Sequence, residues 1–309
     1  MRFEVTILGS SSASPTAGRH HSAHVLNVRE QFYLVDCGEG TQSRLMRAGV
    51  SPLKINAIFI THTHGDHIYG LAPLISSLGL AGKKIPLKIF GPAELGRMID
   101  FYQNDFGHPV DFEIQFTAVD TTKNQLIFEN KSLEVWTIPL RHRVPTTGYL
   151  FREKQGEPNV RKELIERYGL GIAQIVAVKR GEDITLEDGR TVPAAELTYF
   201  ANRPRSYAYC SDTLSSGKVA GIVSGVDLLY HEATFADSDR HLAKETGHST
   251  ATGAAKIASK AGVGRLIIGH FSSRYKELAP LEEEARAVFP ESHLAIEGKT
   301  FAIPLKTND

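Results

Sequence analysis

The sequence predicts a layered α/β fold in one domain, residues 1–309, carrying an inserted arm over residues 152–199. Three observations predict it. Apolar strand-like runs alternate with helical spacings in both halves of the chain. Antiparallel signatures interrupt that alternation between Val110 and Ile138. The texture then changes from about Arg152 to Tyr199, where charged, apolar and hairpin-like stretches follow one another.

The opening RFEVTILG has strand character and stops at Gly9, before a Ser/Gly/Pro-rich loop from Ser10 to Gly18. HVLNV and QFYLVDCGEG predict two more strands. TQSRLMRAGV is helical, with Gly49 near its end. NAIFITH is a short buried strand, IYGLAPLISSLGLAG a helix, IPLKIFGP a strand and AELGRMIDFYQND a helix. FEIQFTAV and SLEVWTI are expected to be antiparallel strands. In the arm, EKQGEPNVRKELIERY is charged, GLGIAQIVAV is apolar, and EDITLEDGRTV holds an Asp-Gly hairpin signal. RSYAYCSDT, DLLYHEAT and RLIIGHF predict strands, with a loop and helix between the last two. His248-Ser249-Thr250 falls at that helix's expected N-terminus. LEEEARAVF is helical, and HLAIEGKTFAI closes the chain as a strand.

A chain of 309 residues with 41% hydrophobic content can bury a sizeable core. Lys plus Arg and Asp plus Glu number 35 each, so the formal net charge is zero and gives no overall drive toward nucleic acid, though a local basic patch stays open. No stretch approaches the roughly 18 apolar residues of a membrane span, and the N-terminus lacks a signal-peptide pattern. Cys37 and Cys210 are too few for a disulfide framework and are read as buried strand-end thiols. A cytoplasmic protein with no membrane association is expected.

The chemistry is concentrated in THTHGDH, residues 61–67. His62, His64, Asp66 and His67 lie within six residues, straight after an apolar strand. Imidazole and carboxylate are preferred zinc ligands, and a strand end leaves the sheet at its rim. Gly65 would let the backbone turn so that both sides converge. The same order of strand then ligand type recurs at His142 after LEVWTIPL, Asp212 after SYAYCS and His270 after RLIIG. One zinc takes roughly three or four protein ligands. Seven candidates suit two metals about 3.5–4 Å apart that share a carboxylate, an arrangement for displacement at phosphorus or an acyl centre. His20, His21 and His24 form a second cluster, in RHHSAH, but it lacks a carboxylate and is expected to be non-ligand.

THTHGDH matches the HxHxDH signature of the metallo-β-lactamase superfamily. LGSSSASPT, LVDCGEGTQ, FITHTHGDHIYGL, PLRHRVPTTGY, YCSDT, LLYHEATF, GHSTA and IIGHFSSRY extend the likeness over nearly the whole chain, which resembles the tRNase Z branch. That resemblance implies an αβ/βα four-layer sandwich of two sheets flanked by helices. It implies that His62, His64 and His142 hold one zinc, that Asp66, His67 and His270 hold the other, and that Asp212 bridges them. Mn²⁺ or Fe²⁺ are potential substitutes at such ligands.

The implied activity is removal of the 3′ trailer from precursor tRNA, by hydrolysis of the phosphodiester after the discriminator base, leaving a 3′-hydroxyl. A bridging hydroxide is the implied nucleophile. Asp66 would orient it and take its proton, His248 would protonate the leaving 3′-oxygen, and Glu232 would hold the His248 imidazole charged. Ser10 to Ser12 and Arg19 are further candidates to face phosphate. Members of the branch grip tRNA with a protruding arm and commonly form homodimers; residues 152–199 occupy the matching place. YGLGIAQI replaces the usual Gly-Pro-rich tip, and Arg152 to Tyr168 holds five basic and four acidic residues, so the arm is not a simple cationic hook. A small-molecule phosphodiesterase, a thioester or β-lactam hydrolase, and a non-catalytic RNA-binding relative are the competing readings. The long arm disfavours the first, the Glu232–His248 pair the second, and the complete ligand set the third.

Overall fold

The computed structural model describes residues 1–106 and 110–308. The first half supplies strands β1 (Phe3–Gly9), β2 (Ala23–Val28), β3 (Gln31–Val35), β4 (Ile55–Phe59), β5 (Leu87–Gly91) and β6 (Ile114–Ala118). Next come β7 (Leu126–Glu129), β8 (Leu133–Pro139) and β9 (Thr147–Glu153). The insertion holds the two-residue strands β10 (Asn159–Val160), β11 (Ile184–Thr185), β12 (Thr191–Val192) and β13 (Thr198–Tyr199). The chain resumes with β14 (Ser206–Cys210), β15 (Leu228–Glu232), β16 (Arg265–Gly269), β17 (Ser292–Leu294) and β18 (Thr300–Ala302).

These strands form two seven-stranded sheets, ordered β18-β1-β2-β3-β4-β5-β6 and β17-β16-β15-β14-β9-β8-β7. Helices flank them, so the molecule is the expected αβ/βα sandwich. Side-chain alternation builds the layers. Ala57 and Phe59 of β4 face the core between the sheets, while Ile58 and Ile60 lie under the outer helices. Both faces are buried, which is why NAIFI is a continuous apolar run. Phe59 stacks on Phe90 at 5.0 Å and meets Phe151 edge-on at 5.3 Å.

Three expectations are corrected. FEIQFTAV contributes β6, which pairs parallel to β5, not antiparallel. The helix Ala93–Phe101 carries the chain back across the sheet between them, and a crossover of that kind restores strand direction. IYGLAPLISSLGLAG is not one continuous helix: Ile68 ends the short helix Gly65–Ile68, and the remainder forms the helix Leu71–Leu80. They part at Gly70, where a Cβ would meet the Gly38 carbonyl oxygen at 2.0 Å. HLAIEGKTFAI is not one strand: β17 joins the second sheet and β18 the first, with Gly298 at φ 81° between them.

Cys37 and Cys210 are free and fully buried, and burial pushes both thiols up. The segment between β9 and β14 has its own small core, including Leu170, Val178, Ile184 and Leu197, under the helices Lys162–Tyr168 and Ile172–Lys179. The apolar GLGIAQIVAV is therefore helical in its second part, with Ile172 at its start 83% exposed. β11 and β12 pair antiparallel around Asp188-Gly189, as the hairpin signal indicates. No helix among the described residues is long and apolar enough to cross a membrane.

Candidate metal centre

Parallel pairing brings several strand ends to one edge of the sandwich. Asp36 follows β3, Asp212 lies two residues past β14, Glu232 ends β15 and His270 follows β16. His62 leaves β4 and His142 leaves β8 at the same edge, and THTHGDH turns there into the helix Gly65–Ile68. The seven candidate ligands fall into two groups. Ligand atoms of His62, His64, His142 and Asp212 lie within 4.8 Å of one another, and so do those of Asp66, His67 and His270. Asp212 faces both. Its Oδ1 lies 3.5 Å from His67 Nε2 and 3.3 Å from His270 Nε2, while its Oδ2 lies 3.5 Å from His62 Nε2 and 3.8 Å from His142 Nε2. Asp66 Oδ2 is 3.2 Å from His270 Nε2 and 3.3 Å from His67 Nε2.

Outer hydrogen bonds fix the direction of four imidazoles. His67 Nδ1 donates to Asp36 Oδ2 at 2.8 Å, and His142 Nδ1 donates to the Gly247 carbonyl at 2.9 Å. The Thr61 hydroxyl spends its proton on Asp36, so at 3.0 Å it accepts from His62 Nδ1. The Thr234 hydroxyl likewise donates to Glu232 Oε2 and accepts from His270 Nδ1 at 2.9 Å. Each ring thus uses its Nδ1 proton outward and turns Nε2 toward the centre, the orientation in which an imidazole can ligate a metal while its other nitrogen is held by a hydrogen bond. His64 is the exception and turns Nδ1 inward, 3.0 Å from His62 Nε2. Gly247 stands at φ 78°, and a Cβ there would meet His142 Nδ1 at 3.1 Å.

This donor set fits divalent metal. Inward nitrogens crowd together, His62 Nε2 at 3.0 Å from His64 Nδ1 and His67 Nε2 at 3.3 Å from His270 Nε2, and buried His142 Nε2 has no hydrogen-bond partner. Burial lowers His62 to about 4, and it also lowers His64 and His142, so these rings are neutral near pH 7. Burial pulls His67 the same way, but Asp66, Asp36 and Asp212 outweigh it and hold that ring well above its ordinary value. A field that favours a proton there favours a cation among the same groups. Burial would raise the carboxyls of Asp66 and Asp212; the facing histidines overcome it and hold both far below the usual range.

Glu232 is fully buried. Its Oε1 accepts from the amides of Thr213 and Ser249 and from His248 Nδ1 at 3.1 Å, and its Oε2 accepts from the amide and hydroxyl of Thr234. Burial lowers His248, but the Glu232 carboxylate more than compensates and lifts it to about 9. The centre opens into a cleft of about 480 Å³ whose walls include Asp66, His142, Asp212, His248 and His270. Six of the nine candidate metal and catalytic residues thus line one cleft, His64 among them, and His62, His67 and Glu232 lie fully buried against those six.

The second histidine cluster lies elsewhere. His24 is buried against Tyr209 and Tyr230 and bonds the Tyr207 hydroxyl at 2.8 Å; His20 pairs with Glu297 at 2.9 Å. Of the weaker phosphate candidates, Ser12 lines the cleft, whereas Ser10 and Ser11 are buried and Arg19 donates to the Ser272 carbonyl. Sequence reasoning missed Asp36, Thr61 and Thr234, which aim three of the candidate ligands, His67, His62 and His270. Asp36 shows the same signal as the others, an acid directly after an apolar strand, in LVDCGEG.

A family profile described as "Anti-Pycsar protein Apyc1" matches residues 3–151. Ribonuclease Z of Parabacteroides distasonis is 44% identical over 301 residues, 97% of this chain and 99% of that protein. Ribonuclease Z of Porphyromonas gingivalis is 44% identical over 287 residues, 93% of this chain and 94% of that one. Among solved structures, the short form of human tRNase Z matches with a TM-score of 0.69 at 26% identity, covering 97% of this chain and 99% of that one. The metallo-β-lactamase fold protein YhfI of Bacillus subtilis matches with a TM-score of 0.68 at 20% identity over 97% and 98% of the two chains, a likeness of fold. Identity of this extent over nearly the full length places the chain in a family: it belongs to the ribonuclease Z family and has the metallo-β-lactamase fold.

Proposed function

We propose that the protein is a two-zinc endoribonuclease that removes the 3′ trailer of precursor tRNA, cutting after the discriminator base and leaving a 3′-hydroxyl. The observation that carries the proposal is the Asp212 carboxylate, which divides its oxygens between two histidine groups at the floor of a cleft walled by His248. His62, His64, His142 and Asp212 would hold one zinc, and Asp66, His67, His270 and Asp212 the other. When bound, such a pair lowers the pKa of water and neutralises charge on phosphoryl oxygens.

The chain's own groups do the rest. Asp66 orients the attacking water. It takes the water's proton as attack proceeds and passes it to solvent, because a carboxyl held far below the usual range does not retain it. His248, charged at neutral pH, donates a proton to the departing 3′-oxygen, so the tRNA ends in a hydroxyl. Glu232 fixes the ring by its Nδ1, which leaves Nε2 for the substrate. Thr213, Thr234 and Ser249 hold Glu232 in turn. The inserted arm over residues 152–199 binds the tRNA body away from the cleft, and a homodimer would let one arm serve the other subunit's site.

Incubation with a 3′-extended precursor tRNA and with a chromogenic phosphodiester, with and without chelator, tests the proposal. The expected result is a single cut after the discriminator base, abolished by chelator and restored by zinc. Metal-loaded protein that leaves the precursor intact while hydrolysing the small ester would overturn it.

A further inference from the structure

A second concavity, of about 360 Å³, adjoins the metal cleft, and His248 belongs to the wall of both. Four cationic side chains line it: Arg141 past β8, Arg240 and Lys244 from the helix Arg240–Thr246, and Lys256 from the helix Ala251–Ala261. Arg240 is paired with Asp237 at 2.6 Å, and the Thr250 hydroxyl donates to the same carboxylate. Arg141, Lys244 and Lys256 make no ion pair within 4 Å of a carboxylate among the described residues, though Lys256 is close enough to Asp237 to help hold that carboxyl down. Their neighbour is the N-terminus of the eleven-residue helix Ala251–Ala261, which adds the positive end of its dipole. Unpaired cations gathered on one concave surface repel each other and raise the local potential for an anion. The chain as a whole is neutral, so this concentration of charge is local.

The position relative to His248 says which anion. On the endoribonuclease reading, on which this inference rests, the scissile phosphate lies over the metal ligands and His248 faces the departing 3′-oxygen. That oxygen belongs to the nucleotide retained on the tRNA. A pocket across His248 from the metal ligands therefore lies on the retained side. We propose that Arg141, Lys244 and Lys256 hold the RNA phosphate immediately 5′ of the scissile one. The pocket then fixes the discriminator nucleotide from both sides, by its own 3′-oxygen at His248 and by its 5′-phosphate at the three cations. A phosphodiester with one phosphate engages only the first of these contacts.

The test is a cycle between protein charge and substrate charge. Precursor RNA is made with an uncharged methylphosphonate at the linkage immediately 5′ of the cut, and cleaved by wild type, Lys244→Ala and Arg141→Ala. Both residues are exposed, so truncation leaves the packed fold in place. The neutral linkage should raise KM of wild type roughly fivefold, each variant should show a similar rise on unmodified RNA, and the two changes together should cost little more than either alone. Multiplying losses, or a wild type indifferent to the neutral linkage, would overturn the assignment. Binding of labelled RNA to the metal-loaded protein gives an independent answer. Lys244→Ala should flatten the slope of log Kd against log salt by about 0.7–0.9, and an unchanged slope counts against the pocket. Failure of wild type to cut unmodified RNA sinks the endoribonuclease reading, and the salt slopes still decide the pocket.

Discussion

Asp36 and His270 stand at φ 57° and φ 61°, a left-handed backbone region that side chains other than glycine rarely occupy. Each such residue costs on the order of 1–3 kcal/mol, sustained by its surroundings. Asp36 accepts from the Thr61 amide and hydroxyl at 2.9 Å, from His67 Nδ1 at 2.8 Å and from Tyr209 at 3.0 Å. It aims the candidate ligand His67 and itself lies outside both candidate ligand groups. Asp36→Asn should lower metal affinity about 10–100-fold in a competitive chelator titration; wild-type affinity would contradict that role. At His248, the pH profile is the check. A donor lifted to about 9 is protonated below that value, so kcat for precursor cleavage should fall as pH rises through it. Bound cations would bring the fall to lower pH. The high-pH limb should vanish in His248→Gln, whose rate should drop about 10²–10⁴-fold with metal content intact; a variant that keeps the limb would assign it to another group. The seven ligand candidates were visible in sequence because ligand chemistry follows apolar strands. Asp36 carries the same signal, and only the folded backbone shows that it points at His67 instead of the centre. Glu232 and His248 were marked by resemblance alone, since an isolated acid or histidine has no local signature of role.

At the scale of elements, the site is made by strands that end together. NAIFI, SYAYC and RLIIG were legible as buried strands because they are apolar on both faces; parallel pairing within the second sheet aligns the ends that carry Asp212 and His270, and packing of the first sheet against it brings His62 to the same edge. Strand direction was less legible. Alternation in FEIQFTAV marks a strand, but parallel or antiparallel pairing depends on the helix Ala93–Phe101 before it. The insertion was visible as a change of texture, whereas its separate core is a product of folding. The two ends of the insertion lie side by side, where the Gln155 side chain donates to the Asn202 carbonyl at 3.2 Å. Replacing residues 158–199 with a short glycine linker should therefore keep the sandwich intact. Cleavage of precursor tRNA should fall far more than hydrolysis of the chromogenic ester, measured as the ratio of the two kcat/KM values. Equal losses would refute a substrate-gripping role for the arm.

For the molecule as a whole, one buried ion pair ties the arm's root to both chain ends. Arg205 donates to Glu153 through Nε at 2.8 Å and Nη2 at 2.9 Å, and through Nη1 to the carbonyls of Met1 and Ile303. Burial would raise the Glu153 carboxyl, but Arg205 and then Arg29 override it and hold it below its ordinary value. A depressed carboxyl contributes stability above its unfolded pKa and loses it as pH falls through the folded one. Glu153→Gln should cost about 3–5 kcal/mol near neutrality, because it strips a buried guanidinium of its counter-charge. The gap to wild type in denaturant unfolding should shrink as pH drops below about 4; a gap under about 1 kcal/mol, or one constant with pH, would contradict the assignment. The central claim is that seven side chains form a paired metal centre joined through Asp212, and elemental analysis of the purified chain tests it most directly. Two equivalents of divalent metal per chain are predicted, falling to one or fewer in Asp212→Ala with the circular dichroism of the fold unchanged. A wild-type chain that binds one metal, or an Asp212→Ala chain that still binds two, would contradict it.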